Sequence, residues 1–238
     1  MKCSFKETWI VEAAVIAVGV IILGLCIKGG IDNFVNKDRK VTVKGLAEME
    51  VQANKVTWPI VCKEVGNDLP ELYTKINDTN TAITKFLKSN GISDSEISIN
   101  APVVLDMSAE RYDSNRSPFR YNITSVITVS STNVPQVRKI IARQGELLKQ
   151  GIAIVAGEYE NPVTYSYTSF NQVKSKMMQK AIENAQVTAN QFASNSHSTI
   201  DKIISADQGQ FTIDDRDANS PYIKELRVVT TITYSLKN

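Results

Sequence analysis

Cysteine, histidine and tryptophan are all scarce in this chain of 238 residues, which has three cysteines, one histidine and two tryptophans. Cys3 and Cys26 lie in an N-terminal segment, so the rest of the chain keeps only Cys62. A single thiol excludes an internal disulfide and a cysteine-based metal site in that part. The cysteine count therefore does not indicate whether the protein works in an oxidising or a reducing compartment.

An excess of charge of either sign is also missing. The 27 lysines and arginines nearly balance the 25 aspartates and glutamates, which leaves a net charge of +2. A nucleic-acid-binding protein normally carries a clustered basic face, so this balance argues against a nucleic-acid partner. The hydrophobic content of 42% is that of an ordinary globular protein, and the chain is long enough for one or two domains with a core.

Motifs for catalysis are absent from the sequence as well. It has no phosphate-binding glycine loop, no paired-histidine metal motif and no nucleophile elbow. The single histidine, His197, has Asp201 as its only close acid, and a histidine base needs a carboxylate to orient it. We predict that His197 is exposed at a helix exit. We therefore predict no enzyme activity, no catalytic residue and no cofactor.

One cluster of oxygen ligands is present between Asp214 and Asn219. Calcium loops begin with oxygen ligands at alternate positions. Ser220 stands where such a loop needs glycine, and Leu226 stands where its bidentate glutamate belongs. A solvated loop fits the segment as well, so ion or ligand binding here remains an alternative function. Its candidate ligands are Asp214, Asp215, Asp217 and Asn219.

A long hydrophobic run lies near the N-terminus. Residues 10–27 are apolar except for Glu12, and residues 9–27 have about the length that crosses a bilayer. A cleaved signal peptide is the alternative, but Lys28-Gly29-Gly30 follows the run and offers no small-x-small cleavage site. We predict an uncleaved anchor segment over residues 1–30, a polar linker over 31–40 and a folded domain over 41–238.

The orientation of this anchor does not follow from charge counting. Lys2 and Lys6 precede the run, and a longer series of cations follows it: Lys28, Lys37, Arg39 and Lys40. The positive-inside rule is weak for long translocated domains. Charge alone therefore does not place the C-terminal part outside the cytoplasm.

Strand and helix patterns alternate through the rest of the chain, which predicts an α+β fold with antiparallel or mixed sheets and three main helices. Predicted strands cover 41–56, 58–65 (with an edge or bulge at Pro59), 97–103, 119–131, 152–159, 163–168, 199–207 and 222–236. Predicted helices cover 69–89, 134–150 and 171–195, and 209–221 is predicted as a polar loop.

The third helix carries a ladder of small side chains. Alanine recurs at every fourth position, and residues four apart share a helix face. We predict that this face packs closely on a sheet or a second helix, as a structural element without chemistry. The ladder comprises Ala181, Ala185, Ala189 and Ala193.

A polar loop over 108–118 and the start of the strand that follows it carry basic and aromatic residues. A solvated hairpin tip or a subunit contact explains them better than a binding patch. The residues are Arg111, Tyr112, Arg116, Arg120 and Tyr121.

The order of these segments resembles the SIMPL-domain family, which includes the bacterial 26-kilodalton periplasmic immunogenic proteins. The opening strand VTVKG (41–45), the helix exit NGI (90–92), the strand YNITSVITVSSTNV (121–134), the alanine ladder and the closing strand VVTTITYSL (228–236) carry the resemblance. Family members commonly have glycine after the ladder helix, where this chain has Ser196-His197.

The resemblance implies a fold of packed βα units, a cell-envelope location and a homo-oligomer that is ring- or channel-like. Family members are linked to oxidative-stress defence, and no catalytic residues come with the family. We therefore expect a single-pass protein of the bacterial inner membrane that is anchored through residues 9–27. Its C-terminal domain would lie in the periplasm and self-assemble.

Overall fold

The computed structural model describes residues 4–36, 39–109, 118–155 and 161–237. The chain forms two compact units. The first contains residues 1–48, 174–212 and 227–238, and the second contains 49–173 and 213–226. The described helices are α1 (Ser4–Asn36), α2 (Leu69–Ser89), α3 (Val134–Ala142), α4 (Gly145–Leu148) and α5 (Phe170–Asn195). The described strands are β1 (Lys40–Gln52), β2 (Lys55–Gly66), β3 (Ile97–Ile99), β4 (Val103–Asp106), β5 (Tyr121–Ser131), β6 (Ile154–Val155), β7 (Thr164–Ser166), β8 (Thr199–Asp215) and β9 (Ile223–Lys237).

The first unit is built on a three-stranded sheet with the order β1-β9-β8. The alanine ladder of α5 packs on this sheet, because all four ladder alanines are buried. Gly45 of β1 lies directly under the helix, since a Cβ placed there would fall 1.9 Å from the carbonyl oxygen of Ala181. The predicted packing of the ladder on a sheet is confirmed. The core of this unit comprises Val43, Ala185, Ala189, Ile232 and Tyr234.

The second unit is built on β2 and β5, which pair antiparallel along their whole lengths, from Val56 opposite Ser131 to Gly66 opposite Tyr121. Short strands flank this pair, with β3 and β4 on β5 and with β6 and β7 on β2. Buried residues of β2, β5, α2 and α3 form one core. Alternation along β5 buries one face, which comprises Ile123, Ser125, Ile127 and Val129 with half-buried Tyr121.

Local signals define α2 at both ends. Asp68 caps the helix by accepting a hydrogen bond from the Glu71 amide at 2.9 Å, and proline stands in the first turn. Gly91 follows the helix with a φ of +88°, a conformation that favours glycine. The observed bounds match the predicted ones. The buried stripe of α2 includes one polar residue, Asn80, whose Oδ1 accepts a hydrogen bond from the Ser125 hydroxyl at 3.1 Å.

Several predicted boundaries differ from the structure. The run over 97–103 forms two short strands, β3 and β4, instead of one. The second predicted helix is split into α3 and α4. α1 continues to Asn36, so the first part of the predicted linker over 31–40 is helical. Residues 156–159 of the predicted strand over 152–159 lie outside the described residues.

Two further differences concern strands. β2 is not an outer strand of its sheet along its whole length, but at Pro59 it has a described partner on the β5 side alone, so the predicted edge holds locally. β7 pairs with β2 as far as Thr57, and β6 pairs with it from Val61. Pro59 therefore lies between these two partners. On this side no described strand needs the backbone N–H that proline lacks. β8 extends to Asp215, and residues 209–215 therefore belong to a strand instead of the predicted loop.

Candidate assembly surface

α1 contains a stretch that is long and apolar enough to cross a membrane. It runs from Glu12 to Ile31 with a mean hydropathy of 2.4, and none of it is buried. A core helix of a soluble protein would be mostly buried, so this helix is not part of a core. The stretch is compatible with a single-pass anchor, and a signal sequence near an N-terminus has the same properties.

The longest strand of the first unit, β8, is also its most exposed strand. It is the outer strand of the sheet, because β9 pairs with it on one side and no described strand pairs with it on the other. Nearly all of its 17 residues are exposed on both faces. Ile203 and Ile204 are 56% and 53% exposed. Such an edge presents unpaired N–H and C=O groups, and a second strand can bind to them.

The opposite edge of the same sheet is partly covered. β1 is the outer strand there, and the side-chain amide of Asn184 on α5 donates to the Leu46 carbonyl at 2.7 Å. This bond uses a backbone acceptor that an added strand would need. A side chain from the ladder helix therefore occupies one backbone acceptor of β1. On β8, the Ser235 hydroxyl bonds the N–H and the C=O of Lys202, and Ser235 belongs to the paired strand β9.

The edges of the second unit are short. β3 and β4 have three and four residues, β6 and β7 have two and three, and Pro102 interrupts the chain between β3 and β4. Short strands and proline are common means of protecting sheet edges. The β4 edge is apolar, with Val103 68% exposed, but four residues offer few backbone groups to a partner.

Two of the four candidate ion ligands near β8 contact cations of the chain itself. Asp215 contacts the Lys224 ammonium, and Asp217 contacts the Arg216 guanidinium at 3.0 Å. Asp217 also accepts from the Asn219 amide at 2.9 Å. These contacts hold the pKa of the Asp217 carboxyl below its usual value. Within the described residues, no group of three or more His, Cys, Asp or Glu side chains could hold a metal ion.

Arg120 and Tyr121 belong to the predicted basic-aromatic loop. The guanidinium of Arg120 donates to both carboxylate oxygens of Asp106 and lies 4.8 Å from the centre of the Tyr121 ring. Hydrogen bonds from Arg120 and Ser108 lower the pKa of Asp106 to about 2. These contacts join the ends of the antiparallel strands β4 and β5. Arg111, Tyr112 and Arg116 lie outside the described residues.

His197 lies where it was predicted, exposed at the exit of α5. Its φ is +53°, in the left-handed region. The His197 amide donates to the Ser194 carbonyl at 3.1 Å and the Ser198 amide donates to the Ala193 carbonyl at 2.8 Å. These two bonds form a Schellman motif, in which glycine normally holds the position of His197. The histidine thus closes a helix.

Cys62 is buried in β2. Burial raises the pKa of its thiol to about 11, and the nearby Glu64 contributes to the shift. A thiol in such surroundings is a packing residue with little nucleophilic character.

Sequence reasoning missed the exposed edge of β8. It predicted a strand only as far as Asp207 and gave no reason to place that strand at an edge. The one signal was the pair Ile203-Ile204, which puts apolar side chains on both faces of a strand and does not show whether those faces are covered.

The fold and the N-terminal helix together define a class, an α+β domain that follows one helix of membrane-spanning length. A family model matches residues 41–231, and the chain belongs to that family, SIMPL, described as proteins of unknown function (DUF541). The predicted family is confirmed. No curated protein matches the chain.

Proposed function

We propose that this chain is a non-enzymatic, membrane-anchored cell-envelope protein that self-assembles into a homo-oligomer. The observation that carries the proposal is β8, a strand of 17 residues at a sheet edge with both faces exposed. Soluble monomers usually shorten, charge or cover such an edge. A second strand would satisfy the backbone groups of β8 and cover its isoleucines.

The anchor supports assembly by a different route. Attachment to one bilayer through residues 9–27 confines the folded parts of neighbouring copies to a thin layer. Confinement raises their effective concentration, so modest contacts are enough to hold them together. In this proposal the chain is a single-pass protein of the bacterial inner membrane with its C-terminal part in the periplasm. A ring- or channel-like form and a link to oxidative-stress defence follow from the family resemblance alone.

The proposed lack of catalysis is supported by how the perturbed acids are used. The pKa of Glu96 is lowered by hydrogen bonds from Ser131 and Ser93. The pKa values of Asp106, Glu146 and Asp217 are also lowered, and each of these three carboxylates contacts an arginine close to it in the fold. These are exposed ion pairs at turns, and such pairs perturb pKa values without forming an active site.

Light scattering of the detergent-extracted full-length protein tests self-assembly. We expect a protein mass that is a multiple of the chain mass of 26.3 kDa in several mild detergents. A monomer in all of them would refute the proposal.

N-terminal sequencing of protein from native membranes tests the anchor, because a mature chain that starts near Lys28 or beyond would show that the helix is a signal sequence.

Thermal melting with added calcium tests the alternative function, which is ion binding by Asp214–Asn219. A ligand that binds only the folded state raises its stability. We expect no shift of the melting temperature, because Lys224 and Arg216 contact two of the four candidate ligands. A rise that an Asp217→Asn variant loses would favour the ion-binding function.

A further inference from the structure

We infer that two copies of this chain bind each other through β8, with the two β8 strands antiparallel across a two-fold axis. The inference rests on the proposed self-assembly and assigns its surface. The sheet of the first unit would then continue from one copy into the next, with the strand order β1-β9-β8-β8-β9-β1.

The free edge of β8 supplies the binding groups. In a strand, backbone groups point alternately to the two sides, so pairing with β9 uses only half of those in β8. The part that belongs to the first unit, residues 199–212, is long enough to offer several N–H and C=O groups to a partner strand.

The partner is argued from the other edges of the chain. Asn184 caps the β1 edge at Leu46, and the described edges of the second unit are two to four residues long. β8 is longer than β1 and exposed at nearly every residue, so the edge that a second copy presents is β8 again. When both partners use the same patch, the contact is isologous and the symmetry is two-fold.

The side chains of β8 suit such a contact. Ile203 and Ile204 are successive, so they project from opposite faces, and a partner strand crossing near them covers apolar surface on both faces. Pairs of β-branched residues across antiparallel strands are stabilising. Residues 199–212 carry only three charged side chains, of mixed sign: Asp201, Lys202 and Asp207. This is not the run of like charge that keeps edges apart.

A two-fold contact has a consequence for subunit number. It closes after two copies and leaves no β8 edge for a third. Any larger assembly that contains it, a ring included, needs a second contact surface and has an even number of subunits.

Disulfide trapping in native membranes tests the geometry. Full-length protein with Cys3→Ser and Cys26→Ser provides the background, because Cys62 is buried. Single cysteines are placed along residues 201–208 and oxidised with copper phenanthroline. A two-fold axis brings identical residues together, so we expect dimers from one or two neighbouring positions near Ile203 and none from the others.

Two matched positions serve as controls. Lys44→Cys is exposed on β1, and Val103→Cys is exposed on the rival β4 edge. We expect both to remain monomeric on denaturing gels. Dimers from Val103→Cys or Lys44→Cys, with none from 201–208, would overturn the inference.

A charge variant gives an independent readout. Ile203→Lys with Ile204→Lys places cations on both faces of the edge, and both residues are exposed, so the melting temperature of each subunit should change little. We expect the mass from light scattering to fall to half or less. Val187→Lys, which changes an exposed valine on α5, should leave the mass unchanged.

The results distinguish the two levels of the proposal. A wild-type protein that is monomeric in every detergent overturns both self-assembly and the β8 contact. An oligomeric wild type whose mass survives the double lysine variant, without trapped β8 dimers, overturns only the β8 contact.

Discussion

The carbonyl oxygen of Ala181 lies so close to the Cα of Gly45 that a methyl group on Gly45 would fall 1.9 Å from it. The same methyl group would lie 2.7 Å from the amide nitrogen of Ala185. Two backbones therefore approach each other with no side chain between them. The alanine ladder supplies one side of this approach and a single glycine supplies the other.

Gly45→Ala should destabilise the first unit by about 3 kcal/mol, because the clash is with backbone and the helix must move away from the sheet. Thermal melting or chemical denaturation measures the loss. Gly145→Ala is the matched control, since a Cβ there meets nothing within 4 Å. Equal melting temperatures for the two variants would contradict the close approach.

Ala185→Leu and Ala189→Leu should each cost about 1–3 kcal/mol of stability, because each adds three carbon atoms to a fully packed face. The same measurement on Lys180→Leu and Gln191→Leu, which change exposed positions of α5, should show little effect. A ladder variant that melts like these controls would place the ladder outside the packed interface.

His197→Gly should stabilise the protein by about 0.5–1 kcal/mol, because it relieves a left-handed conformation at some entropic cost in the unfolded chain. Gly151→Ala tests the same conformation in reverse. Gly151 follows α4 with a φ of +83°, and a Cβ placed there meets nothing within 4 Å. The stability lost in the Gly151→Ala variant therefore measures the cost of the left-handed backbone conformation alone. A destabilised His197→Gly variant would show that the imidazole has a role of its own.

The contact of Asp106 with Arg120 should depend on pH. The pKa of Asp106 is lowered from its usual 3.8 to about 2, so its contribution to stability is present above pH 4 and is lost as the pH falls towards 2. The difference in melting temperature between wild type and Arg120→Ala should shrink over that range. A constant difference from pH 7 to pH 2 would mean that Arg120 acts by packing alone.

Asp215→Asn should cost about 1–2 kcal/mol, because it leaves the Lys224 ammonium, whose side chain is only 10% exposed, without its partner charge. The value is less than for a fully buried pair, since Asp215 is half exposed. Asp214→Asn, one residue away and exposed, is the control and should be nearly neutral in the same unfolding experiment.

Elements whose signals are local were predictable from the sequence. The bounds of α2 were predicted because a capping aspartate, a first-turn proline and an exit glycine all lie within a few residues of its ends. The ladder of α5 was equally visible, since its period is that of a helix face. The glycine beneath it lies more than 130 residues away, and no local pattern connects the two.

The candidate assembly surface was not predictable for the same reason. Residues 209–215 look like a polar loop, and they form a strand because β9 returns beside them, with the Arg216 amide donating to the Ile223 carbonyl at 3.0 Å. The position of β8 at an edge depends on the strand order of the whole sheet. A periodic pattern reports which face of a strand is apolar, not which strands lie next to it.

The buried thiol of Cys62 also limits how such a protein could take part in a stress response. Oxidants attack the thiolate, and a pKa of about 11 leaves the Cys62 thiol almost wholly protonated at neutral pH. Outside α1, Cys62 is the only cysteine among the described residues. The Cys62 thiol is therefore poorly suited to act as a sacrificial scavenger of oxidants.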